Sequence, residues 1–452
     1  MKSLQPKNEH GKWNECDLIE RLCHALDIAR LAIEHLASEG YTNRKNPAKN
    51  IRPEKIVSET AVLLVSASSL IDHPQVGERI RCIAEQLVPN ARSKRVMLGL
   101  CLEPTVLWDY ALPHICLTRI GYPDSVFDEL LRVSLESQAR AGRERVPYRV
   151  LEQEWIAKAW LDPKVIRRPT SRSIARLSIL SCPMDLLGAT RDDIYAFTHA
   201  LMYVTDFNLR PARLPRRRDV ILGEADVLLA RCLDDEDYDL AGEVLLSWPL
   251  TGKTWSTTAA FAFRVLAHVE DQAAFLPTPS TQISEIKALE GIERTKYLLA
   301  TAYHTAYVMG LVCAAALRPG CAPPGTIPLD GAKPGTASQV MRLLDADGQS
   351  PHWQREFDHL TEPEADALSG FLLNVALRRR AACRDFEGLR TLLDLAYDLD
   401  LANTPSMSQA AEMLIRLTIC ATAVGCPQAD NLHTPENSPP HSDMPVKTVE
   451  NI

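Results

Sequence analysis

The sequence lacks the features that mark nucleic-acid binding and thiolate metal sites. Its net charge is −8, so it has no excess of the basic residues that contact nucleic acid. Its 12 cysteines form no Cys-x-x-Cys pair, which argues against a zinc ribbon and against a thioredoxin-type redox site. We therefore expect buried free thiols and no nucleic-acid partner.

Long apolar runs are also missing. No uninterrupted run reaches the length of about 18 residues that crosses a bilayer. The most apolar stretch, Val308 to Leu317, is too short to do so. The segment from Met1 to Asn14 is polar and has no hydrophobic signal-peptide core. We expect a cytoplasmic protein with no membrane partner.

Glycine-rich phosphate loops and the usual nucleophile motif are absent as well. The chain has only 20 glycines and contains neither Gly-x-x-x-x-Gly-Lys-Ser/Thr nor Gly-x-Gly-x-x-Gly. The segment Pro249–Thr254 ends in Gly-Lys-Thr but has no preceding glycine or strand, so we regard it as a chance match. No Gly-x-Ser-x-Gly elbow occurs. We therefore expect no cofactor and no serine nucleophile.

Amphipathic helical periodicity fills most of the chain. From Glu15 to Ser38 apolar residues recur at spacings of three and four, and Gly40 follows as a stop signal. Pro53 and Pro74 stand where a first helical turn accepts proline. Alternating strand patterns with Asn-Gly or Asp-Gly turns are missing. These patterns predict an all-α fold. Short connections favour an irregular array of antiparallel helical hairpins, either an α/α solenoid or a closed toroid.

Composition divides the chain into five parts. Proline and glycine are dense from Arg318 to Gly335, which predicts a surface loop or a boundary. From about Pro427 the chain is polar and has no periodicity. We predict a disordered N-terminus (1–14), a helical array (15–317), a Pro/Gly-rich loop (318–337), C-terminal helices packed on the array (338–426) and a disordered tail (427–452).

One apolar helix carries two ionisable groups, and their presence in such a helix needs an explanation. The stretch Arg191–Phe207 contains His199 and Asp206, which seven residues place on nearly the same helix face, roughly 10 Å apart along the axis. They cannot bond to each other in a regular helix, so each needs another partner or a ligand between them. Thr190 is the expected N-cap, and the acidic residues after it suit the positive end of the helix dipole.

A second apolar helix carries His304, flanked by Tyr303 and Tyr307. Two imidazoles and a carboxylate could bind a divalent metal or act as an acid–base set. Alternatively, each histidine is buried and bonded to a backbone carbonyl or a tyrosine, or these groups anchor a ligand in an apolar pocket. Because no His-Glu-x-x-His motif occurs, we assign no metal. The candidate catalytic residues are His199, Asp206 and His304, and the candidate ligand-binding residues are Tyr195, Tyr203 and Thr301.

The loop that follows the stretch Arg191–Phe207 carries the one dense basic patch of this acidic protein. The loop 208–219 holds five arginines, namely Arg210, Arg213, Arg216, Arg217 and Arg218. Solvated loop charge is one interpretation. The other is an anion-binding or acidic-partner site, for which Arg216, Arg217 and Arg218 are the candidates.

Several segments resemble a family of mostly actinobacterial helical proteins whose shared domain has no assigned function. The likeness covers about residues 15–317 and rests on the segments 146–152, 191–207, 237–246 and 303–305. The resemblance implies an all-helical fold and a neighbourhood of specialised-metabolite genes, and it supplies no catalytic residues.

Two functions fit these observations. The first is a non-catalytic helical scaffold or accessory protein that binds a peptide or protein partner in the groove of the array, within a bacterial specialised-metabolite pathway. The second is a biosynthetic enzyme that binds a small molecule in a helical cavity, with His199, Asp206 and His304 as its polar groups. Convergence of those three side chains in one pocket would favour the enzyme.

Overall fold

A computed structural model describes residues 13–41, 50–137, 139, 142–161, 174–208, 212–329, 333–344, 351–401 and 403–423. Over these ranges the chain is all-α and forms no strand beyond an isolated bridge between Tyr41 and Ile51. The predicted all-α class is confirmed. Residues 1–12, Arg210 and the tail 427–452, for which predictions were made, lie outside the described residues.

The first half of the fold brings together eight helices, several of which begin as the sequence predicts. Asn14 caps the first helix, and prolines open the second, third and seventh. The helices are α1 (Glu15–Glu34), α2 (Pro53–Ala67), α3 (Pro74–Ala91), α4 (Lys94–Leu102), α5 (Leu107–Arg119), α6 (Ser125–Ser134), α7 (Pro147–Trp160) and α8 (Arg191–Val204).

The second half continues with helices of more varied length, from the short Ser247–Thr251 to the 26-residue Gly291–Ala316. They are α9 (Arg218–Asp234), α10 (Tyr238–Leu245), α11 (Ser247–Thr251), α12 (Thr257–Ala273), α13 (Ile283–Ala288), α14 (Gly291–Ala316), α15 (Thr336–Leu344), α16 (His352–Phe357), α17 (Glu362–Ala367), α18 (Ser369–Ala382), α19 (Phe386–Asp398) and α20 (Pro405–Ala423). The helices after the Pro/Gly-rich segment pack on the preceding ones. Phe371 of α18, for example, lies 5.3 Å, centroid to centroid, from Phe261 of α12.

Helix α14 lies at the centre of the core and contacts α1, α2 and α10. Two glycines permit the close approach. A Cβ atom at Gly310 would lie 2.7 Å from the Cβ of Ala25 in α1, and one at Gly242 would lie 2.5 Å from Cγ1 of Val308. Larger side chains at either glycine would force the helices apart. The glycines therefore set how closely α10 and α1 pack against α14.

By length and composition, Gly291–Ala316 is long and apolar enough to cross a membrane, and 78% of its most apolar window is buried within the protein.

The contact between α1 and α14 joins helices more than 250 residues apart in sequence. In an open solenoid each repeat touches only its neighbours. The described helices therefore include a long-range closure that a simple open solenoid does not make.

Helix α8 begins as predicted and ends earlier than expected. Thr190 and Asp193 form a capping box at its start. The α-helix stops at Val204, and Asp206 and Phe207 both adopt a φ of 51°, in the left-handed region. This turn removes Asp206 from the regular helix face that carries His199.

Candidate functional site

Four helices direct five ionisable side chains to one place, which we call the histidine–carboxylate cluster. The contributing helices, α2, α8, α10 and α14, come from distant parts of the chain. The cluster consists of Glu59, His199, Asp239, Glu243 and His304.

His304 lies at the centre of the cluster and faces carboxylates on both sides. Its Nδ1 lies 3.1 Å from Oε2 of Glu59. Its Nε2 lies 3.3 Å from Oδ1 of Asp239 and 3.8 Å from Oε1 of Glu243. Glu59 is held in turn by the hydroxyl of Tyr303, which donates a hydrogen bond of 2.7 Å.

His199 approaches the same Glu243 oxygen from helix α8. Its Nε2 lies 3.6 Å from Oε1 of Glu243. Its Nδ1 lies 3.4 Å from the hydroxyl of Tyr203, and that hydroxyl donates a 2.7 Å hydrogen bond to Glu152. Because the tyrosine hydrogen is directed at Glu152, the hydroxyl oxygen is left to accept from Nδ1–H. The other ring nitrogen of His199, Nε2, then faces Glu243.

The two carboxylates of α10 each have one oxygen held and one directed at the histidines. Thr198 donates a 2.6 Å hydrogen bond to Oε2 of Glu243, and Arg191 donates one of 3.0 Å to Oδ2 of Asp239. The other Asp239 oxygen, Oδ1, is buried and accepts no hydrogen bond, although Nε2 of His304 is close. A buried oxygen without a hydrogen bond is costly, so it indicates a missing partner.

Burial and charge act against each other in the pKa values of this cluster. Burial favours the neutral form of His304, but the negative charges of Glu59 and Asp239 outweigh it and raise the pKa of the imidazole well above its usual range. Burial likewise raises the pKa of Glu59, yet the positive charge of His304 holds that pKa at about 2. The pKa of Glu243 is lowered for the same reason, against its burial, by His199 and His304.

Asp239 behaves differently from the other carboxylates. Burial raises its pKa, the nearby imidazole of His304 lowers it, and the charge of Glu243 raises it further. Three acidic groups this close cannot all ionise without added positive charge. The protein supplies that charge through a protonated His304, and a bound cation could supply it in the same place.

The cluster is deep but reachable. The side chain of Glu243 is 2% exposed, whereas those of His304 and Glu59 are 27% and 23% exposed. Two tyrosines border the histidine on α8. The ring of Tyr195 stacks on the His199 imidazole at 3.8 Å, and Tyr148 lies edge-on to His199 at 5.7 Å. The site therefore combines the buried carboxylate of Glu243 with partly exposed groups, and two aromatic rings border it.

The spacing of the donor atoms suits a metal ion. One atom each from Asp239, Glu243 and His304 lie within 4.8 Å of one another. Ligands about 2.0–2.1 Å from a tetrahedral zinc ion are separated by roughly 3.3 Å. The observed separations of 3.3 and 3.8 Å approach that value. His304 also has the usual metal-ligand environment, since its second nitrogen faces a carboxylate.

The structure brings together two of the three predicted catalytic residues. His199 and His304 meet at Glu243, but Asp206 does not join them in the contacts seen. It pairs with Arg119 at 3.3 Å and accepts a 2.6 Å hydrogen bond from the indole of Trp155. Asp206 lies apart from them because the α-helix ends at Val204 and the following turn redirects the side chain, and its catalytic role stays a prediction.

Asp206 instead lines a separate cavity of about 360 Å³ at the end of α8. Charged and aromatic groups surround it, among them Trp155, Lys158 and Arg213. The ring of Tyr203 also borders this cavity, while its hydroxyl contacts His199. Tyr203 therefore stands between the cavity and the histidine–carboxylate cluster.

Of the predicted ligand-binding residues, two lie at the cluster and one is hydrogen-bonded within its own helix. Tyr195 and Tyr203 both contact His199, as a ligand site requires. The buried hydroxyl of Thr301 donates to the carbonyl of Tyr297 within the same helix, and its ligand-binding role stays a prediction. An i to i−4 bond of this kind satisfies a buried threonine without a ligand.

Of the three arginines predicted to bind an anion or an acidic partner, Arg216 already pairs with a carboxylate, and its role stays a prediction. Its guanidinium forms a two-pronged ion pair with Glu224 and donates to the carbonyl of Leu180, so its charge is already matched. Arg217 is 82% exposed beside Asp219, and Arg218 donates to the carbonyl of Ala212. Arg217 and Arg218 remain untested as partner-binding residues.

The sequence did contain a signal for the residues that were missed. Asp239 and Glu243 stand four positions apart in the otherwise apolar helix α10, so they share one face. Glu59 is the last charged residue of α2 and comes just before the mostly apolar second half of that helix. Carboxylates on buried helix faces need partners, and here those partners are histidines from other helices.

The comparisons with known proteins identify a family and assign no activity. A family model described as a domain of unknown function, DUF6895, matches residues 24–314, which include every residue of the histidine–carboxylate cluster. No match was found among curated proteins or among solved structures. Since the family model spans more than half of the sequence, the chain belongs to the DUF6895 family.

Proposed function

We propose that this protein is a metal-dependent enzyme that activates water for hydrolysis at the histidine–carboxylate cluster. The observation that carries the proposal is the arrangement of the donors. Asp239 Oδ1, Glu243 Oε1 and His304 Nε2 converge, while the second polar atom of each side chain is held by Arg191, Thr198 or Glu59. Such outer partners orient metal ligands in known metal sites.

Each residue has a separate role in this proposal. Asp239, Glu243 and His304 are the three protein ligands, and three ligands leave a position for water. His199 lies beside that position and acts as the general base, with Tyr203 and Glu152 fixing its orientation. His199 would take one proton from water, the hydroxide would add to the electrophilic carbon or phosphorus, the bond from that atom to the leaving group would break, and the proton would pass from His199 to the leaving group.

The donor set favours a particular group of metals. One imidazole and two carboxylates are borderline to hard ligands, which suit zinc, manganese and ferrous iron better than copper(I). Among the described residues no cysteine belongs to the cluster. We therefore propose a divalent ion of this group as the resident metal.

The scaffold function predicted from the sequence remains an alternative proposal, as does a role in a bacterial specialised-metabolite pathway. A scaffold function does not require two histidines and three carboxylates from four helices to meet in one cluster. The convergence of His199 and His304 at Glu243 therefore favours the enzyme.

Cobalt(II) binding tests this proposal without knowledge of the substrate. Metal-stripped protein should bind one equivalent of Co²⁺ by equilibrium dialysis and should develop a visible absorption band. The variants His304→Ala and Glu243→Gln should lose that binding while keeping the helical circular dichroism spectrum. The matched control is His352→Ala, which removes another histidine–carboxylate pair, with Glu236, outside the cluster.

Stoichiometric Co²⁺ binding that depends on His304 and Glu243 but not on His352 supports the proposal. Absence of binding to the wild-type protein at micromolar Co²⁺ overturns it. Binding that survives in both cluster variants places the metal elsewhere and also overturns it.

A further inference from the structure

We infer that the substrate of this centre is a small anion whose carboxylate or phosphate group is bound by Arg149. This inference rests on the proposed metal-dependent function and names the substrate class for it.

Arg149 presents an unused guanidinium edge near the histidine–carboxylate cluster. Its Nη1 donates a 2.8 Å hydrogen bond to Glu152, and its guanidinium carbon lies 5.3 Å from the ring centre of Tyr148. Among the described residues, Nε and Nη2 make no hydrogen bond, and the side chain is 47% exposed. The Nε–Nη2 edge of an arginine matches the two oxygens of a carboxylate or phosphate.

The position of Arg149 relative to the cluster follows from three contacts. Glu152 joins Arg149 to Tyr203, and Tyr203 joins Glu152 to His199. On the other side Tyr148 lies under Arg149 and edge-on to the imidazole of His199. Arg149 and the proposed base His199 therefore contact the same ring, that of Tyr148. An elongated anion held by Arg149 would extend along that ring toward the metal ligands.

Tyr195 adds a polar group to the aromatic residues around Arg149 and His199. Its ring stacks on His199, and its hydroxyl makes no hydrogen bond to any described residue. Burial raises the pKa of this hydroxyl well above its usual range, the charge of Glu243 raises it further and that of Arg149 lowers it, so the phenol keeps its proton. A phenol at that point can donate to an oxygen of a bound anion.

Charge explains why an anion needs the metal as well as the arginine. Without a metal and with His304 protonated, the carboxylates around the site still outnumber the positive groups, so the site repels anions. A divalent ion brings the two signs into balance. The carboxylates counted are Glu59, Glu152, Asp237, Asp239 and Glu243, and the cations are Lys55, Arg149 and Arg191.

Anion titrations of the Co²⁺-loaded protein test this inference. The probes are oxalate, malonate, succinate and glutarate, with phosphonoacetate and inorganic phosphate for the phosphate alternative. The readouts are the visible Co²⁺ spectrum and calorimetry. One chain length should bind best, because one end must reach the metal and the other Arg149. The metal-free protein should bind none of them measurably.

Arg149→Gln should weaken the best-binding anion at least about tenfold, since a charged two-pronged hydrogen bond contributes more than a neutral one. Arg149→Lys should restore only part of that affinity because lysine has no planar fork. Co²⁺ affinity should stay within about twofold in both variants. Arg217→Gln, at an exposed arginine outside the cleft, is the control and should leave anion binding unchanged.

The outcomes separate the two proposals. If Co²⁺ binds and the Arg149 variants bind the anions as the wild type does, the anion inference is overturned while the metal proposal stands. If Co²⁺ does not bind at all, the metal proposal itself fails. Preference for the dicarboxylates or for phosphonoacetate and phosphate identifies which anionic group the site takes.

Discussion

At the scale of single residues, the cluster is built from side chains whose two polar atoms have different partners. Thr198, Arg191 and Glu59 each hold the outer atom of a proposed ligand. Holding one atom fixes the direction of the other, which reduces the entropy lost when a ligand or metal binds. The outer partners should therefore matter for metal affinity although they do not touch the metal.

Glu59→Gln tests this directly. The amide keeps the shape of the side chain but removes the charge that faces Nδ1 of His304. We expect Co²⁺ affinity to fall at least about tenfold, as is usual when the outer partner of a metal-bound histidine is changed. Glu54→Gln is the matched control because Glu54 lies on the same helix and pairs with Arg95 outside the cluster. Equal Co²⁺ affinities of the two variants would contradict this role.

A second residue, Asp226, gives a pH prediction away from the cluster. Burial raises the pKa of Asp226 to about 7, although the hydroxyl of Ser256 donates to it and partly lowers that pKa. The unfolded value is about 3.9. The folded state therefore binds this proton more tightly, so the group's contribution to stability is present at acidic pH. It is lost as the pH rises from about 4 to about 7.

Asp226→Asn should remove this loss of stability at higher pH, because asparagine has no carboxyl group to titrate. The melting temperature of the variant should exceed that of the wild type by roughly a few degrees at pH 8. The difference should shrink steadily toward pH 4.5. Differential scanning calorimetry across that range measures it, with Asp398→Asn at an exposed position as the control. A difference that does not change with pH would show that burial of Asp226 has no such effect.

At the scale of helices, sequence reasoning located segments better than it located their meeting points. The Thr190 cap and the all-α class follow from local patterns, and both are present. The end of α8 was missed because nothing local forces Asp206 and Phe207 into the left-handed region. Asp206 was therefore wrongly placed on the face of His199.

The cluster itself shows why the rest of the site could not be predicted. His199 and His304 were identified as unusual polar groups in apolar helices, and this was sufficient to select them. Their partners Glu59, Asp239 and Glu243 come from two further helices, and no local pattern says that these helices meet. Side-chain convergence depends on packing between distant segments, such as the contact of Gly242 with Val308.

That contact gives a prediction for helix α10. Gly242→Ala places a methyl group 2.5 Å from Cγ1 of Val308, so α10 must move away from α14 or Val308 must shift. Because α10 carries Asp239 and Glu243 and α14 carries His304, the ligand spacing should widen. We expect a loss of about 1–3 kcal/mol in the free energy of unfolding and weaker Co²⁺ binding.

Gly370→Ala is the control for this variant. Gly370 is also helical, and a Cβ atom there meets nothing within 4 Å. The change should leave Co²⁺ binding unaltered and slightly stabilise the helix. If Gly242→Ala binds Co²⁺ as tightly as Gly370→Ala does, the close approach of α10 and α14 does not set the geometry of the site.

At the scale of the whole molecule, the cluster joins helices from residues 53 to 316. A metal bound there would link α10 and α14 only in the folded state, so metal binding should stabilise the whole protein. At about 100 times the dissociation constant the gain is about 2.7 kcal/mol. For a chain of this size we expect a rise in melting temperature of a few degrees with Co²⁺ or Zn²⁺, reversed by EDTA. His304→Ala should show no rise, and an equal rise in that variant would indicate binding at other sites.

The most direct measurement is an anomalous difference map from crystals of the Co²⁺- or Zn²⁺-loaded protein, recorded at the absorption edge of the metal. We predict one strong peak within bonding distance of Asp239 Oδ1, Glu243 Oε1 and His304 Nε2. Density for a water molecule should lie on the side of His199. An empty cluster, or a peak only at other histidines such as His352, would contradict the account.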